Sequence, residues 1–475
     1  MGGRRSTWIL TALGVVVLGL AWGDSGSLAA APGKPGNGVP RHPTSGQPPP
    51  AEVSLTSTLT ARPGVAVTMA PVGLSMEYPV LARALGPGSC PPAALTAELL
   101  RLGSPPLELG GVSQDMTAPA GALQGPPASW EAATLYPLPG EFWSQLHCLL
   151  SAAKDPLTVG LNLRAGTLAW ATQMVAGAQS AATAGLSFSL GNEPDLYELP
   201  NYSALAKPLG GEEVLAANLY LQLAAYLRPA VGAGAVIGPE LARPAAWRYQ
   251  LPRVLKELHE QTVGVHAYPL TDCGSPRAVT IKGLLSSRAA NAPARLAWVV
   301  ADARAAGVPA IISEANSVSC GGLGGVSDSP ATAVWAARFV LSALKTGFGE
   351  VRFHFSGGSY DPFVVQGAQV LTRPLESVLA GLNQWLPVGS SVRTVPGLRD
   401  LLATAVGRPG GGITLILDNE RPRARTVVIR NAHTVRVAVF RPARRGPQVA
   451  TVSPPGARLR LSLAANSVLV LSTIP

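Results

Sequence analysis

The chain has 475 residues, of which 47% are hydrophobic and only 13% are charged. This composition excludes a disordered chain, and the length indicates a large domain with a smaller accessory one. The formal charge of +10 suits an acidic membrane or an acidic polysaccharide as partner. Nucleic acid is less favoured, because the sequence has no dense Lys/Arg run with interleaved aromatic residues.

The first 30 residues have the pattern of an export signal. Arg4 and Arg5 form a basic start, residues 8–22 form an apolar run, and residues 27–31 offer small side chains for cleavage. The apolar run is short for a transmembrane span, which favours cleavage; an uncleaved membrane anchor is the alternative. We therefore predict a secreted or periplasmic protein that has no stable membrane span after signal cleavage.

Two segments precede the main domain. Residues 31–50 are rich in proline and glycine and predict a linker without regular structure. Residues 51–70 alternate apolar and polar side chains, which predicts one or two strands. We expect the segment 51–71 to join a β-domain formed later in the chain.

Eight apolar runs of strand length follow, with helical patterns between most of them, for example at 212–227 and 294–306. The runs lie at residues 71–77, 107–111, 157–162, 186–190, 235–239, 263–267, 309–313 and 350–355. Strands that alternate with helices in this number predict a (β/α)8 TIM barrel, an α/β fold, at residues 72–387. A doubly wound open sheet is the alternative, but no GxGxxG segment follows the first strand.

The pattern changes again after a helical stretch at 373–386. Four strand patterns separated by turn residues lie at 413–417, 425–429, 435–440 and 467–471. Short strands at this spacing predict a C-terminal antiparallel β-sandwich domain at residues 388–475.

Two glutamates follow the ends of predicted barrel strands, where the active site of such a barrel lies. Glu193 follows the fourth strand and Glu314 the seventh, 121 residues further on. A single glutamate at a strand end is usually solvated, but two in apolar contexts at one rim favour a catalytic pair. Glycoside hydrolysis needs two such groups, one to protonate the leaving oxygen and one to attack or stabilise the anomeric carbon.

Other chemistry finds little support in the sequence. The six histidines form no HExxH or similar pair, and no GxSxG segment is present, so we predict neither a metal nor a cofactor. His266 alone is typical of a hydrogen-bonded structural histidine. The sequence favours neither a core nor a pocket position for Tyr268. The cysteines lack zinc-site spacing and favour disulfides, with three possible pairings among Cys90, Cys148, Cys273 and Cys320.

At these residues the sequence resembles glycoside hydrolase family 79, the β-glucuronidases and heparanases, within the clan of retaining (β/α)8 glycosidases. The resemblance rests on Asn192-Glu193-Pro194, on residues 72–77 and 109–115 of the first two strands, and on residues 313–317 followed by Cys320-Gly321-Gly322. It covers most of residues 51–475.

The resemblance implies a retaining hydrolase of β-D-glucuronides that works by double displacement, with Glu193 as the acid/base and Glu314 as the nucleophile. It implies that the glucuronate carboxylate is held by backbone N–H groups of Gly321 and Gly322 and by Tyr268. The family often has a second tyrosine near the eighth helix; residues 373–376 offer none, and only Tyr360 lies nearby. Further candidates for binding sugar hydroxyls are Glu77, Asp115 and Asn192.

Several expectations complete this interpretation. Cys273 and Cys320 follow neighbouring strands and are expected to pair, which leaves Cys90 with Cys148. The carboxyl groups of Glu193 and Glu314 are expected to lie about 5 Å apart, the retaining distance. We expect a monomer that acts on a glucuronic acid-containing oligo- or polysaccharide. Two alternatives stay open, namely a retaining glycosidase of the same clan with a neutral sugar substrate, and a non-catalytic polysaccharide-binding protein.

Overall fold

The computed structural model describes residues 50–55, 64–122, 135–164, 167–197, 211–273, 279–396, 398 and 401–473. The predicted export signal at 1–30 lies outside these residues, as does the predicted linker apart from Pro50, and both stay predictions. Within the described ranges, no helix combines the length and the apolar character that crossing a membrane requires.

The strands are, in chain order, Ala51–Ser54 (β1), Val65–Ala66 (β2), Val72–Glu77 (β3), Leu107–Gly110 (β4), Thr117–Ala118 (β5), Tyr136–Pro137 (β6), Leu157–Leu161 (β7), Leu186–Leu190 (β8), Ala235–Leu241 (β9), Thr262–Ala267 (β10), Leu270–Thr271 (β11), Ala310–Ala315 (β12), Val318–Ser319 (β13), Val351–Phe355 (β14), Phe363–Gln366 (β15), Gln369–Thr372 (β16), Ser391–Val395 (β17), Leu402–Gly407 (β18), Ile413–Asn419 (β19), Arg425–Arg430 (β20), Val435–Phe440 (β21), Gln448–Val452 (β22), Arg458–Leu463 (β23) and Ser467–Thr473 (β24).

The helices are Tyr78–Leu85 (α1), Ala93–Arg101 (α2), Phe142–Ala153 (α3), Leu168–Ala181 (α4), Glu212–Val231 (α5), Leu251–Leu258 (α6), Ile281–Leu284 (α7), Ser287–Ala290 (α8), Ala297–Ala305 (α9), Pro330–Thr346 (α10) and Pro374–Trp385 (α11). Two short 3-10 helices matter for the site, Val112–Met116 and Pro194–Leu196.

Eight parallel strands close into a barrel in the order β3, β4, β7, β8, β9, β10, β12 and β14, and β14 pairs with β3 to complete the ring. The predicted (β/α)8 barrel is therefore confirmed, and each of the eight predicted strands is a strand of the barrel. The strands read as near-continuous apolar runs because helices cover their outer faces while their inner side chains fill the barrel. All five residues of β14 are buried, for example.

Ten further strands form two packed sheets, and the other six form the two-stranded pairs β5 with β6, β11 with β13 and β15 with β16. One sheet has the order β2, β17, β18, β19, β24, β21 and β22, and the other has the order β1, β20 and β23. Apolar side chains fill the space between them, among them Leu415, Leu469 and Val427. This confirms the predicted C-terminal sandwich with one exception, since β1 runs parallel to β20 rather than antiparallel. The domain limits given above stay predictions.

Helix α10 joins the barrel to the sandwich. It is buried along most of its length because it packs on α11 and on strands β17, β21 and β24 of the larger sheet. Midway along it, the buried guanidinium of Arg338 donates to the Asp418 carboxylate at 2.7 Å. Burying a charge is costly unless it is paired, so this contact fixes the angle between the two parts more than it adds stability.

All four cysteines are bonded. Cys90 pairs with Cys148, and Cys273 pairs with Cys320. The second bond joins the loops that follow β10 and β12, which the two-residue pairing of β11 with β13 also holds together. Both loops lie at the barrel end where the strands terminate, so this bond braces one side of the barrel mouth.

Candidate active site

The two candidate catalytic glutamates meet at the mouth of the barrel. Glu314 is the next-to-last residue of β12, and Glu193 follows the end of β8. One carboxylate oxygen of each residue and one ring nitrogen of His266 lie within 4.8 Å of one another. Carboxyl groups at this separation are typical of retaining glycosidases, whereas inverting enzymes keep theirs about 6.5–9.5 Å apart.

Glu193 has an unusual backbone. It lies in the left-handed region, at φ 48° and ψ 52°, and precedes the short helix Pro194–Leu196. A non-glycine residue rarely adopts this conformation, which costs of the order of 1–3 kcal/mol and persists only where the surroundings enforce it. Residues strained in this way cluster at functional sites.

Asp115 supplies part of that enforcement. One carboxylate oxygen accepts the backbone N–H of Asn192 at 3.1 Å and the Tyr197 hydroxyl at 2.6 Å, and the other accepts the backbone N–H of Leu163 at 3.0 Å. Gly191 permits this closeness, since a Cβ there would lie 2.5 Å from the Tyr197 oxygen. Burial raises the pKa of Asp115 to about 6, although these hydrogen bonds favour its charged form.

A second carboxylate anchors the other side of Glu193. Asp195 accepts the backbone N–H groups of Ala242 and Arg243, at 3.0 and 2.5 Å, just beyond the end of β9. The segment that carries Glu193 is thus tied to β9 on one side and to the loop after β7 on the other. Two aspartates that no reacting group touches therefore position the candidate acid/base.

Glu314 is held by three side chains. The Tyr268 hydroxyl donates to its Oε1 at 2.7 Å, and Nδ1 of His266 lies 3.7 Å from the same oxygen. Nδ1 of His354 lies 3.4 Å from Oε2. The Glu314 side chain is only 9% exposed, against 23% for Glu193, so the candidate nucleophile is the more enclosed of the two.

His266 lies between the two glutamates. Its Nδ1 is 3.0 Å from Oε1 of Glu193. Burial lowers the pKa of His266, but the negative charges of Glu314 and Glu193 outweigh burial and raise the pKa to about 10. Burial opposes ionisation of Glu193 as well, yet the contact with His266 lowers its pKa. At neutral pH the pair is therefore an imidazolium and a carboxylate that share one proton.

A third glutamate faces Glu314 across His354. Nε2 of His354 lies 3.4 Å from Glu77, whose carboxylate also accepts the backbone N–H groups of Val112 and Ser113 at 3.1 and 2.7 Å. Burial lowers the pKa of His354, but Glu314 and Glu77 raise it to about 8. Gly111 makes room here, since a Cβ would lie 2.5 Å from the His354 ring.

The floor of the site is a buried polar layer inside the barrel. Arg352 donates to Glu350 at 3.0 Å and to Glu108 at 2.9 Å. Glu240 accepts a hydrogen bond from Ser189 and lies against Glu108. Burial and the charge of Glu108 raise the pKa of Glu240 well above its usual range. Glu240 is therefore a neutral acid beneath His266, which limits the negative charge around the site.

The glycine pair lies beside a second tyrosine. Gly321 and Gly322 both have positive φ, and the Gly322 position is close enough to the backbone N of Tyr360 that a Cβ would approach it to 3.0 Å. The Tyr360 ring lies 6.4 Å from the Tyr268 ring and 5.9 Å from His354, measured between centroids. Within the described ranges, no acceptor binds the backbone N–H of Gly321 or Gly322.

The structure sorts the sequence-predicted site residues into two groups. Glu193, Glu314 and Tyr268 meet in one cluster, and Glu77 joins it through His354. Asp115 instead binds protein N–H and O–H groups, and Asn192 is 6% exposed, with an Oδ1 that has no hydrogen-bond partner among the described residues. The contacts made by His266 and His354 were not anticipated, although both histidines lie near the ends of their strands and Tyr268 follows β10 two residues after His266.

The same cluster has the composition of a metal site. Glu193, His266 and Glu314 each offer one ligand atom within the 4.8 Å grouping. A metal needs a neutral imidazole, however, and the raised pKa of His266 keeps its ring protonated at neutral pH. A metal bound at this cluster would have to displace that proton.

Comparisons with known proteins identify the fold. No protein-family model matches the chain, and no curated protein matches it in sequence. The structure is similar to that of a 4-O-α-L-rhamnosyl-β-D-glucuronidase from Fusarium oxysporum, with 17% identity, a TM-score of 0.64 and coverage of 89% of this chain and 100% of that chain.

Two further solved structures share the architecture. A family 51 α-L-arabinofuranosidase from Bifidobacterium longum has 13% identity and a TM-score of 0.63, with coverage of 90% of this chain and 100% of that chain. The catalytic domain of family 30 xylanase C from Talaromyces cellulolyticus has 11% identity and a TM-score of 0.54, with coverage of 89% and 100%. At these identities the similarity establishes the fold alone.

Proposed function

We propose that the protein is a retaining glycoside hydrolase that cleaves β-D-glucuronides. The observation that carries the proposal is the grouping of Glu193 and Glu314 oxygens within 4.8 Å at the barrel mouth. The fold shared with glycoside hydrolases, one of them a β-D-glucuronidase, supports it.

In the first step Glu314 attacks the anomeric carbon while the leaving oxygen receives a proton from Glu193. Tyr268 holds Oε1 of Glu314 at 2.7 Å, which leaves Oε2 as the attacking oxygen, with Nδ1 of His354 3.4 Å from it. In the second step Glu193 takes a proton from water, and the hydroxide oxygen displaces Glu314 from the sugar. The bond to Glu314 breaks, and both carboxylates return to their initial state.

The proton for the first step comes from the pair of Glu193 and His266. A general acid usually has a raised pKa, whereas His266 lowers that of Glu193. Because Nδ1 of His266 lies 3.0 Å from Glu193, the imidazolium stores the proton and passes it through Glu193 to the leaving oxygen. Because the buried Glu240 beneath His266 is neutral, it adds no negative charge next to this pair.

Replacing His266 by glutamine should move the alkaline limb of kcat/KM to lower pH by about one unit or more. The His266 pKa is raised to about 10, so the shared proton is present below that pH and is lost above it. Glutamine still donates to Glu193 but stores no proton, so Glu193 alone must hold it, and burial then raises the pKa of Glu193. A pH–rate profile on an aryl glucuronide measures this shift, and an unchanged alkaline limb would exclude proton storage by His266.

A glucuronide is favoured over a neutral sugar by the loop after β12. The unoccupied N–H groups of Gly321 and Gly322 and the hydroxyl of Tyr360 offer donors for a carboxylate, and backbone N–H groups bind anions without a cation. Tyr268 lies beside Tyr360, but its single hydroxyl proton is donated to Glu314. The Cys273–Cys320 bond holds these donors in place from both adjoining loops. A neutral sugar would leave the N–H groups unpaired.

Initial rates on aryl β-glucuronide, β-glucoside and β-xyloside test this assignment directly. We expect kcat/KM for the glucuronide to exceed the other two by at least about 10²-fold, since two or more hydrogen bonds to a carboxylate contribute roughly 1.5–3 kcal/mol each. Faster turnover of the glucoside or xyloside would favour the same-clan enzyme with a neutral substrate. Turnover of none of the three, with retained glycan binding, would favour the non-catalytic alternative.

A further inference from the structure

The net positive charge of the protein comes entirely from its C-terminal part. Residues 388–475 contain thirteen arginines, no lysine and three acidic residues, which gives this segment a formal charge of +10. The first 387 residues contain 24 basic and 24 acidic residues and are neutral overall. The predicted barrel at 72–387 has 19 basic and 22 acidic residues, so the excess positive charge is concentrated on the sandwich.

Five of these arginines lie, together with Glu420, on two loops, 420–424 and 441–447, which we call the arginine loops. The register of the larger sheet places them together, because Asn419 pairs with Ser467 and the adjacent Val468 pairs with Phe440. Strands β19 and β21 thus end side by side with only β24 between them, and the loops leave the sheet about 10 Å apart. The exposed arginines of these loops are Arg421, Arg423, Arg444 and Arg445.

Two other exposed arginines of the sandwich are neutralised by a carboxylate. On the outer face of the smaller sheet, Arg430 and Arg458 both pair with Glu52, Arg458 at 3.0 Å. Within the described ranges, no carboxylate pairs with the guanidinium of Arg423, Arg444 or Arg445. Unpaired like charges on neighbouring loops repel each other, and a bound polyanion removes that repulsion.

The arginine loops point toward the end of the barrel that holds the glutamates. Helix α10 starts at that end; its Arg338 binds Asp418, and Lys345 near its far end donates to Thr404, the neighbour of Ile416. Strand β19 therefore runs back along α10 toward the barrel mouth before it reaches loop 420–424. There Arg421 and Lys282 line one surface cavity of about 800 Å³.

We propose that the arginine loops bind an acidic polysaccharide, a linear glycan that carries carboxylates or sulfates along its length. Guanidinium groups bind both anions in bidentate geometry, and a repeating anion suits several cations spaced about 10 Å apart. The choice of a glycan over another polyanion rests on the proposed hydrolase function. The loops retain the substrate chain while the barrel acts on one residue of it, which raises the local concentration of cleavable ends.

Two variants of equal charge test the surface. The loop variant carries Arg423→Gln, Arg444→Gln and Arg445→Gln, and the control carries Lys256→Gln, Arg295→Gln and Arg304→Gln, three exposed cations of the barrel. Binding is measured against a size-defined heparin fragment, a non-sulfated polyuronate, duplex DNA and phosphatidylglycerol vesicles, over a range of salt concentrations. Hydrolysis of a small aryl glucuronide is measured in parallel.

The loop variant should bind heparin or the polyuronate about ten- to hundredfold more weakly near 0.1 M salt, with a shallower salt dependence, because three anion contacts are lost. The control should stay within about threefold of the native protein. Equal losses in both variants, or none in either, would overturn the site. Tighter loop-dependent binding of DNA or vesicles than of both polysaccharides would overturn the choice of partner.

The parallel assay separates this proposal from the proposed function. The loop variant should hydrolyse the aryl glucuronide at the native rate, since a small substrate does not reach the loops; a large loss there would overturn their role as a surface remote from the chemistry. Absence of hydrolysis by the native protein would count against the hydrolase and would leave the polysaccharide surface to be judged by the binding data.

Discussion

Replacing Glu314 by glutamine should lower kcat/KM for an aryl β-glucuronide by about 10⁴-fold or more, as expected when a covalent nucleophile is lost. Glutamine has the same shape, and its side-chain oxygen still accepts the Tyr268 hydroxyl that lies 2.7 Å from Oε1 of Glu314. The fold should therefore survive, and the loss should report chemistry. A matched control is Glu260→Gln, which changes a buried glutamate ahead of β10, at the opposite end of the barrel.

Added azide makes the role of Glu314 more specific. In Glu314→Ala a small anion can enter the vacated space and attack the anomeric carbon from the face that Glu314 occupied. The product should then be the α-glucuronosyl azide, identified by its anomeric proton coupling. Full activity of the glutamine variant, or azide rescue with β configuration, would contradict the assignment of Glu314 as nucleophile.

The sequence was sufficient for the barrel because each strand has one strong local signal. A strand of a parallel barrel is buried on both faces, so it appears in the sequence as a short apolar run between helical patterns. This is true of β12 and β14, whose residues are all buried. The polar ends of β8 and β12 then identified Glu193 and Glu314 as neighbours, because the closed barrel brings those ends to one rim.

The sandwich was only half predicted. Strands β17, β18, β22 and β23 were not predicted from the sequence. In β22 no residue is fully buried, since it forms the edge of the larger sheet, and β23 alternates exposed arginine with leucine. The parallel pairing of β1 with β20 depends on the far N-terminal segment, and no local pattern specifies such a long-range partner.

The site shows a similar division. Residue type and strand position indicated the two glutamates, but the proton-sharing contact between Glu193 and His266 depends on side-chain geometry across β8 and β10. A lone histidine in a strand carries no signal of its partner. Asp115 was proposed as a sugar ligand for its place in a motif, whereas the structure shows it bound to Asn192 and Tyr197.

The left-handed backbone of Glu193 shows why such positioning residues matter. Its φ of 48° is maintained by contacts from Asp115 on one side and Asp195 on the other, and neither carboxylate reaches the reacting groups. The local sequence therefore places the candidate acid/base after β8, while contacts from distant parts of the chain hold it in position. A protein that only bound glycans would have no need to hold a strained glutamate within 4.8 Å of a second one.

Replacing Glu193 by glutamine should produce a loss that depends on the leaving group. For a sugar or alkyl glucuronide, which needs protonation, kcat/KM should fall about 10³–10⁴-fold, the usual range for loss of a general acid. For a dinitrophenyl glucuronide the first step needs no proton and should be nearly as fast as in the native protein. The second step still lacks its base, so a burst of dinitrophenol followed by slow turnover is expected.

This contrast separates the two glutamates, because Glu314→Gln should be equally inactive on both substrates. Azide should rescue Glu193→Ala through attack on the glycosyl-enzyme and should give the β-glucuronosyl azide, the opposite anomer to that from Glu314→Ala. An equal loss on both leaving groups would contradict the acid/base role.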